Sequence, residues 1–308
     1  MAPNTPPDMP RGQRVGYLGP EGTFTEEALL ASAVPDAVQP VPLGTIYDTV
    51  MALERGELEW AVVPIENSLE GSISVTLDLL AEDAGDVEIV GEALLRVRHS
   101  LIAAEALELE QIEEVITHPQ VPGQCALFLR GELPHAQIVP ASSTAEAVRM
   151  VVAGSSSAGE GRRRAAIGTL LAARIYGGTV LRKGVEDRDD NETRFVWLAR
   201  AGDGTGHSEL TPPPLRAQAA GEWKTSLVFW GPGAERPGWL VRCLDEFARR
   251  EINLTKIESR PRRERLGHYM FFVDLEGAPQ TEEGVSDAVA DVRECCEEVR
   301  VLGSYPAA

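Results

Sequence analysis

Between residues 201 and 222 the chain runs Gly202, Gly204, Gly206, then Pro212-Pro213-Pro214, then Ala220-Gly221, with little apolar periodicity. Breakers this dense predict a linker, and a chain of 308 residues interrupted there is expected to fold as two domains. Before the linker, short apolar runs alternate with helical ones. Strands are expected at Arg14–Leu18, Trp60–Ile65, Val87–Val97, Glu114–Thr117, Gln137–Val139, Ala165–Ile167 and Arg194–Leu198. Thr23 with Glu26, Thr45 with Asp48 and Ser143 with Glu146 fit the Ser/Thr-x-x-Asp/Glu signal of a helix start. This alternation predicts an α/β fold. The Gly/Ser-rich run Gly154–Gly161 reads as a surface excursion within it. After the linker the pattern becomes strand Lys224–Trp230, helix Pro237–Glu251, strands Ile252–Ser259 and Leu266–Leu275, helix Glu282–Cys295 and strand Val299–Ser304. That βαββαβ order is a ferredoxin-like sandwich.

In α/β folds ligands bind outside the carboxyl ends of the strands, where helix N-termini present free N–H groups. Those ends carry Gly19–Thr25, Glu66-Asn67-Ser68, Thr117-His118-Pro119-Gln120, Ser142-Ser143-Thr144 and Gly168-Thr169. Five polar turns are expected to meet at one crevice. Asp189-Asp190-Asn191-Glu192-Thr193-Arg194-Phe195 adds a hydroxyl beside a permanent cation where an acidic loop becomes an apolar strand. Such a pair can hydrogen-bond a leaving oxygen while holding a carboxylate; equally, Thr193 can open the strand while Arg194 pairs with a nearby acid.

The formal charge of −19 argues against nucleic acid as a partner, because phosphates need a basic face. Gly16, Gly19 and Gly22 have neither dinucleotide nor P-loop spacing, so no nucleotide cofactor is expected. The five histidines are scattered, Cys125, Cys243, Cys295 and Cys296 lack zinc-ligand spacing, and no metal or other cofactor is expected. The cysteines read as reduced and structural. With no membrane-length apolar run and no signal-peptide pattern, the chain is expected to be cytoplasmic and not membrane-bound.

Gly16–Phe24, Pro64–Ser68, Thr117–Gln120 with Gln124-Cys125, and Asn191–Phe195 together closely resemble prephenate dehydratase. Ile252–Pro261 resembles the ACT regulatory domain that this family carries. The resemblance implies a two-lobed catalytic domain similar to type II periplasmic binding proteins, followed by a ferredoxin-like ACT domain. It divides the chain into a disordered start at 1–13, a catalytic domain at 14–200, the linker at 201–222 and an ACT domain at 223–304. Lobe 1 takes about 14–93 and 177–200 and lobe 2 about 94–176, with the return at Gly177-Gly178 making the second strand of a hinge.

The implied reaction is a lyase step in phenylalanine biosynthesis: prephenate loses water and CO2 to give phenylpyruvate. Thr193 is then expected at the departing hydroxyl, Arg194 on a substrate carboxylate, and Glu66 either as proton donor or paired with Arg194. Asn67, Ser68, Thr117 and Gln124 are expected to orient the substrate, with Thr23, Thr25 and Phe195 completing the binding site. L-Phenylalanine is the implied allosteric effector, bound where subunits of a homodimer or homotetramer meet. Its expected contacts are Gly238, Leu240, Asn253, Leu254, Glu258, Ser259, Arg260 and Pro261, with Trp239 standing where the family carries a small residue. The competing readings are the same chemistry on arogenate and a non-catalytic cytoplasmic amino-acid sensor.

Overall fold

The computed structural model describes residues 12–154, 163–202, 214–216, 222–232 and 236–308. Most of the expected N-terminal segment, of the Gly154–Gly161 excursion and of the linker lies outside these residues. Along the chain run β1 (Gln13–Leu18), α1 (Phe24–Ser32), β2 (Val38–Leu43), α2 (Ile46–Glu54), β3 (Trp60–Asn67), β4 (Gly71–Ser72), α3 (Ser74–Asp78), a π-helical turn at Leu79–Asp83 and β5 (Val87–Arg96). Then come β6 (Ser100–Ala103), a 3-10 turn at Leu109–Gln111, β7 (Glu114–Thr117), α4 (Val121–Gln124), α5 (Ala126–Glu132), β8 (Gln137–Pro140), α6 (Thr144–Gly154), β9 (Arg164–Gly168), α7 (Leu170–Tyr176) and β10 (Thr179–Lys183). The rest is β11 (Glu192–Arg200), β12 (Trp223–Trp230), α8 (Trp239–Ala248), β13 (Leu254–Pro261), β14 (Tyr269–Glu276), α9 (Glu283–Cys295) and β15 (Glu298–Pro306).

Three sheets result. The first has the order β2-β1-β3-β11-β5, with β4 on β3. Because β11 inserts between β3 and β5, the chain leaves this sheet after β5 and comes back to it late. The second sheet, β10-β6-β9-β7-β8, is made wholly of the intervening residues. Its β10 pairs antiparallel with β6, so the return expected at Gly177-Gly178 comes only after Lys183. The third sheet, β13-β14-β12-β15, pairs antiparallel throughout and has the ferredoxin-like order.

The second sheet shows why its strands read as unbroken apolar runs. Leu101, Ala103, Val115, Ala165 and Ile167 pack with Val121 of α4, Leu129 of α5 and Cys125 between the two helices. Their alternate neighbours Ile102, Ile116 and Ala166 pack with Ala145, Val148 and Ala172 of α6 and α7. Side chains alternate across a strand, so a sheet covered on both faces needs apolar residues at every position. One face of the third sheet is covered by Trp239, Cys243 and Phe247 of α8 and Val285, Ala288, Val289 and Val292 of α9, and the alternate residues Val228, Met270, Phe272 and Tyr305 are buried as well.

β2 was not expected, because Pro40 and Pro42 interrupt its pattern. It forms at the edge of the first sheet, parallel to β1, where a residue without an N–H forfeits no ladder bond on its open side. The predicted caps form as expected: Thr23 Oγ1 accepts from Glu26 N at 3.4 Å, Thr45 Oγ1 from Asp48 N at 3.0 Å and Ser143 Oγ from Glu146 N at 3.0 Å. Among the described residues no helix is long and apolar enough to cross a membrane.

By its contacts the chain divides into two compact units, Met1–Thr49 with Val62–Ile73 and Leu94–Phe195, and Val50–Ala61 with Ser74–Ala93 and Val196–Ala308. The cut departs from the one expected at the linker, since residues 74–93 group with the C-terminal sheet. Within that second unit Arg260 makes a two-pronged bond to Asp78, Nε to Oδ1 at 3.0 Å and Nη2 to Oδ2 at 2.8 Å. Arg263 Nη2 reaches the same Oδ2 at 2.7 Å, and Lys224 Nζ lies 2.7 Å from Glu92. Such bonds join segments far apart in sequence, which no linker composition reveals.

Candidate active site

Strand β11 begins at Glu192, so Thr193 and Arg194 are strand residues and not the end of the acidic loop. Successive side chains of a strand face opposite ways, and their partners follow that rule. Thr193 Oγ1 accepts a hydrogen bond from Asn67 Nδ2 at 2.8 Å, whereas Arg194 Nη1 lies 3.6 Å from Glu66 Oε2. On β3 the two partners are likewise consecutive. The expected juxtaposition of hydroxyl and cation is therefore corrected: Thr193 and Arg194 serve two faces. Both are buried, at 9% and 8% exposure, and the Arg194 guanidinium lies beside the Glu66 carboxylate.

Around Thr193 the bonding is between neutral groups. Asn67 Oδ1 accepts the backbone N–H of Leu69 and of Glu70, each at 2.9 Å, so its amide nitrogen must face the other way. Its two hydrogens go to Thr193 Oγ1 and to Asn191 Oδ1, the latter at 2.8 Å, with Glu192 O at 3.2 Å. Asn67 therefore orients Thr193. With Oγ1 already accepting, the Thr193 hydroxyl is left to donate its hydrogen to another oxygen. Ser68 is exposed and accepts from Glu192 N at 3.0 Å. Gln124, half-buried, offers Nε2 to Glu70 at 3.1 Å.

Other expected binding residues have structural duties. Thr117 is fully buried and its hydroxyl donates to Ile167 O at 2.9 Å, tying β7 to β9. Thr23 caps α1 and donates to Leu18 O at 2.9 Å. Thr25 is buried in the first turn of α1 and Phe195 lies in the core at 2% exposure. The turns that carry these residues nonetheless meet. Thr169 Oγ1 donates to Gly22 O at 2.6 Å, Tyr176 Oη to Glu21 O at 2.8 Å, and the Phe24 ring stands edge-on to His99 at 5.5 Å.

Two contributors escaped the sequence reading. His99, a lone histidine, is 1% exposed and its Nε2 is 3.0 Å from Gln124 Oε1. Burial lowers its pKa, against a smaller upward pull from Gln124 and Glu186, so the ring is neutral at pH 7. Asn191 lies in a quoted motif, yet its role as the joint between Asn67 and Gln124 shows only in three dimensions. Beside them, burial pushes the Glu186 carboxyl up, but the Arg98 guanidinium and the His99 backbone N–H together hold it below the usual range. Among the described residues no cluster of three or more His, Cys, Asp or Glu could hold a metal.

In the second unit Gly238 and Leu240 line a cavity of about 440 Å³ with Trp239, Arg265, His268 and Phe271. Trp239 is 3% exposed and its Nε1 donates to Cys295 O at 2.7 Å, so the indole is part of the module's packing. Asn253 lines a different cavity, of about 390 Å³, and donates to Glu276 at 2.8 Å, while Leu254 packs on the core. Glu258, Ser259, Arg260 and Pro261 line neither cavity. The expected effector residues are thus dispersed, with Arg260 committed to Asp78.

A profile of the prephenate dehydratase family matches residues 15–203, a span that contains every residue bonded around Thr193. The chain belongs to the prephenate dehydratase family. A prephenate dehydratase of Mycobacterium sp. (strain JLS) is 39% identical over 303 residues, covering 95% of this chain and 89% of that one. A bifunctional chorismate mutase/prephenate dehydratase of Aquifex aeolicus (strain VF5) is 35% identical over 295 residues, covering 96% of this chain and 74% of that one. The solved structure of a prephenate dehydratase from Arthrobacter aurescens in complex with L-Phe matches with a TM-score of 0.81 and 34% identity, covering 95% and 89% of the two chains. The likeness to these prephenate dehydratases extends through the C-terminal sheet as well as the family-matched span.

Proposed function

We propose that this chain converts prephenate to phenylpyruvate, with Thr193 as the group that helps the ring hydroxyl leave. In that reaction the bond from the ring to its carboxylate breaks and releases CO2. The electron pair enters the ring, the C–O bond breaks with its pair on oxygen, and the departing oxygen takes up one proton to become water. Aromatisation supplies the driving force, so the protein's task is to position the substrate and stabilise charge on the leaving oxygen. The observation that carries this reading is the bond from Asn67 to Thr193 Oγ1, which commits the hydroxyl to donating outward. Ser68 and Gln124 are the partly open polar side chains beside it and are proposed to contact the substrate. The Arg194–Glu66 pair is proposed to support β11 from its other face.

The family's relatives bear the name of prephenate, which favours it over arogenate as the substrate. The C-terminal module is proposed to act as an ACT domain that binds L-phenylalanine, in the cavity beside Gly238 and Leu240, within a homodimer or homotetramer. An L-Phe complex of the Arthrobacter aurescens relative supports this. Incubation of the protein with prephenate and, separately, arogenate tests the proposal. Phenylpyruvate from prephenate, suppressed or stimulated by phenylalanine, is expected; phenylalanine formed from arogenate alone would reassign the substrate. Turnover of neither would leave the amino-acid sensor.

A further inference from the structure

We infer that Cys243 and Cys296 form a dithiol oxidation site, closed to a disulfide by exchange with a low-molecular-weight disulfide, and that closure reshapes the cavity beside Gly238 and Leu240. The disulfide itself rests on no reading of that cavity; its effect on phenylalanine rests on the effector reading proposed above. All four cysteines are free thiols in the structure. Cys243 is fully buried on α8, in the core that covers the third sheet. Its Sγ lies 3.7 Å from the Sγ of Cys296, the cap residue at the end of α9. Bonded sulfurs stand about 2.0 Å apart, so the pair already meets across the two helices and lacks only a short approach. The neighbouring Cys295 is placed differently: its carbonyl oxygen accepts the Trp239 Nε1 hydrogen at 2.7 Å.

Cys296 is partly exposed and Cys243 is not, so an oxidant in solution meets Cys296 first. The hydrogen bond between the thiols holds Cys243 below its usual range, against the opposing effect of burial. The pair therefore loses a first proton more readily than a lone buried thiol, and the hydrogen that remains is shared between the two sulfurs. With that hydrogen on Cys243, the Cys296 thiolate attacks one sulfur of the external disulfide and expels the other half as a thiolate. Cys243, deprotonated in turn, attacks Cys296 Sγ, forms the internal S–S bond and expels the second half. The protein gives up two hydrogens with two electrons, and the external disulfide becomes two thiols. Both cysteines adjoin the cavity. Gly238, Trp239, Leu240 and Val241, about one turn before Cys243, line it, and so does Glu297, next to Cys296. Drawing Cys296 toward Cys243 moves Cys295 and Glu297 against Trp239, and a close-packed core passes that shift to the cavity wall.

The test treats the full chain with oxidised glutathione, removes the excess and compares it with chain kept in dithiothreitol. The treated wild type is expected to lose two of its four titratable thiols, to retain no glutathione mass and to yield a peptide cross-linked between Cys243 and Cys296. Cys296→Ser, a change at a partly exposed position, is expected to form no internal disulfide, whereas Cys295→Ser is expected to behave as the wild type does. Glutathione adducts that persist on the wild type, a cross-link through Cys295 or one between chains would overturn the inference. Calorimetric titration with L-phenylalanine is expected to show binding at least about fivefold weaker in the oxidised wild type than in the reduced one, the lower end of typical coupling between sites. Dithiothreitol is expected to reverse that loss, and Cys296→Ser to be free of it. Equal affinity in the two forms would overturn the link between the dithiol and the cavity. Protein that forms the Cys243–Cys296 disulfide but binds no phenylalanine in either form supports the oxidation site while the effector reading fails.

Discussion

Around Thr193, neutral amides, a hydroxyl and an imidazole are joined by bonds of defined direction, while around Asp78 two guanidinium groups close on one carboxylate. Both clusters join segments remote in sequence and both contain buried members, but they do different physical work. The ion cluster holds residues 74–93 to β13 and its following loop through attraction that tolerates small shifts in geometry. The neutral network carries little net charge and is intolerant of reversal, because each amide has one acceptor end and one donor end. A site that must aim a weak acid needs direction, and neutral dipoles supply it without drawing a proton from Thr193. Charge is the stronger tie, direction the better instrument.

The sharpest way to break this contrast is to remove the aimed group. Thr193→Ala is expected to lower kcat by about 10²–10³-fold, as the loss of one directed donor does elsewhere. Its unfolding midpoint should stay near wild type, since the lost hydroxyl leaves only one amide hydrogen short of a partner. A drop in kcat below threefold would remove Thr193 from the chemistry. On the ionic side, Asp78→Asn keeps the shape and removes the charge. A stability loss of about 2–3 kcal/mol is expected in urea titration, below the full cost of breaking a buried pair because Arg263 is largely exposed. Turnover at saturating prephenate is expected to remain within about twofold; a loss as large as that of Thr193→Ala would merge the two clusters into one functional unit.

A smaller effect sharpens the comparison through pH. Burial holds the folded-state pKa of His99 below its usual value of 6.5. As pH falls through about 6.5 the unfolded chain takes up a proton that the folded chain refuses, so stability is present above that pH and declines toward the lowered folded value. The slope from this group is at most about 1.4 kcal/mol per pH unit. His99→Gln is expected to flatten the fall of the urea midpoint between pH 6.5 and the lowered folded value, where an unchanged profile would show that His99 is not held neutral. Smallest of all, Thr117→Val should cost about 1 kcal/mol, one buried hydrogen bond, with KM unchanged. A tenfold rise in KM would return Thr117 to the substrate-binding role expected from its motif.

How far the sequence was legible differs between these regions for identifiable reasons. Helix caps at Thr23, Thr45 and Ser143 were readable because a cap is a contact three residues long. The second sheet was readable in outline because covered strands leave apolar runs. Thr193 stood out through its motif, but starting β11 at Glu192 and not at Arg194 changes which loop residues become strand residues, and with it the partners of Thr193 and Arg194. The role of Asn67 was hidden because its amide is turned by two backbone N–H groups in a turn, which carry no side-chain signature. Asp78 gave no signal at all: its partners lie more than 180 residues away.

The central claim is that Asn67 directs Thr193 by donating to it, and Asn67→Asp tests this most directly. Aspartate has the same shape, and one of its oxygens still accepts from Leu69 and Glu70, but the other presents an acceptor where Thr193 now meets the Nδ2 donor. The hydroxyl would then turn to the carboxylate and away from the leaving oxygen. Measured in a double-mutant cycle on prephenate, Asn67→Asp alone is predicted to lower kcat about 100-fold and to add almost nothing in the Thr193→Ala background. Losses that multiply independently would contradict the account.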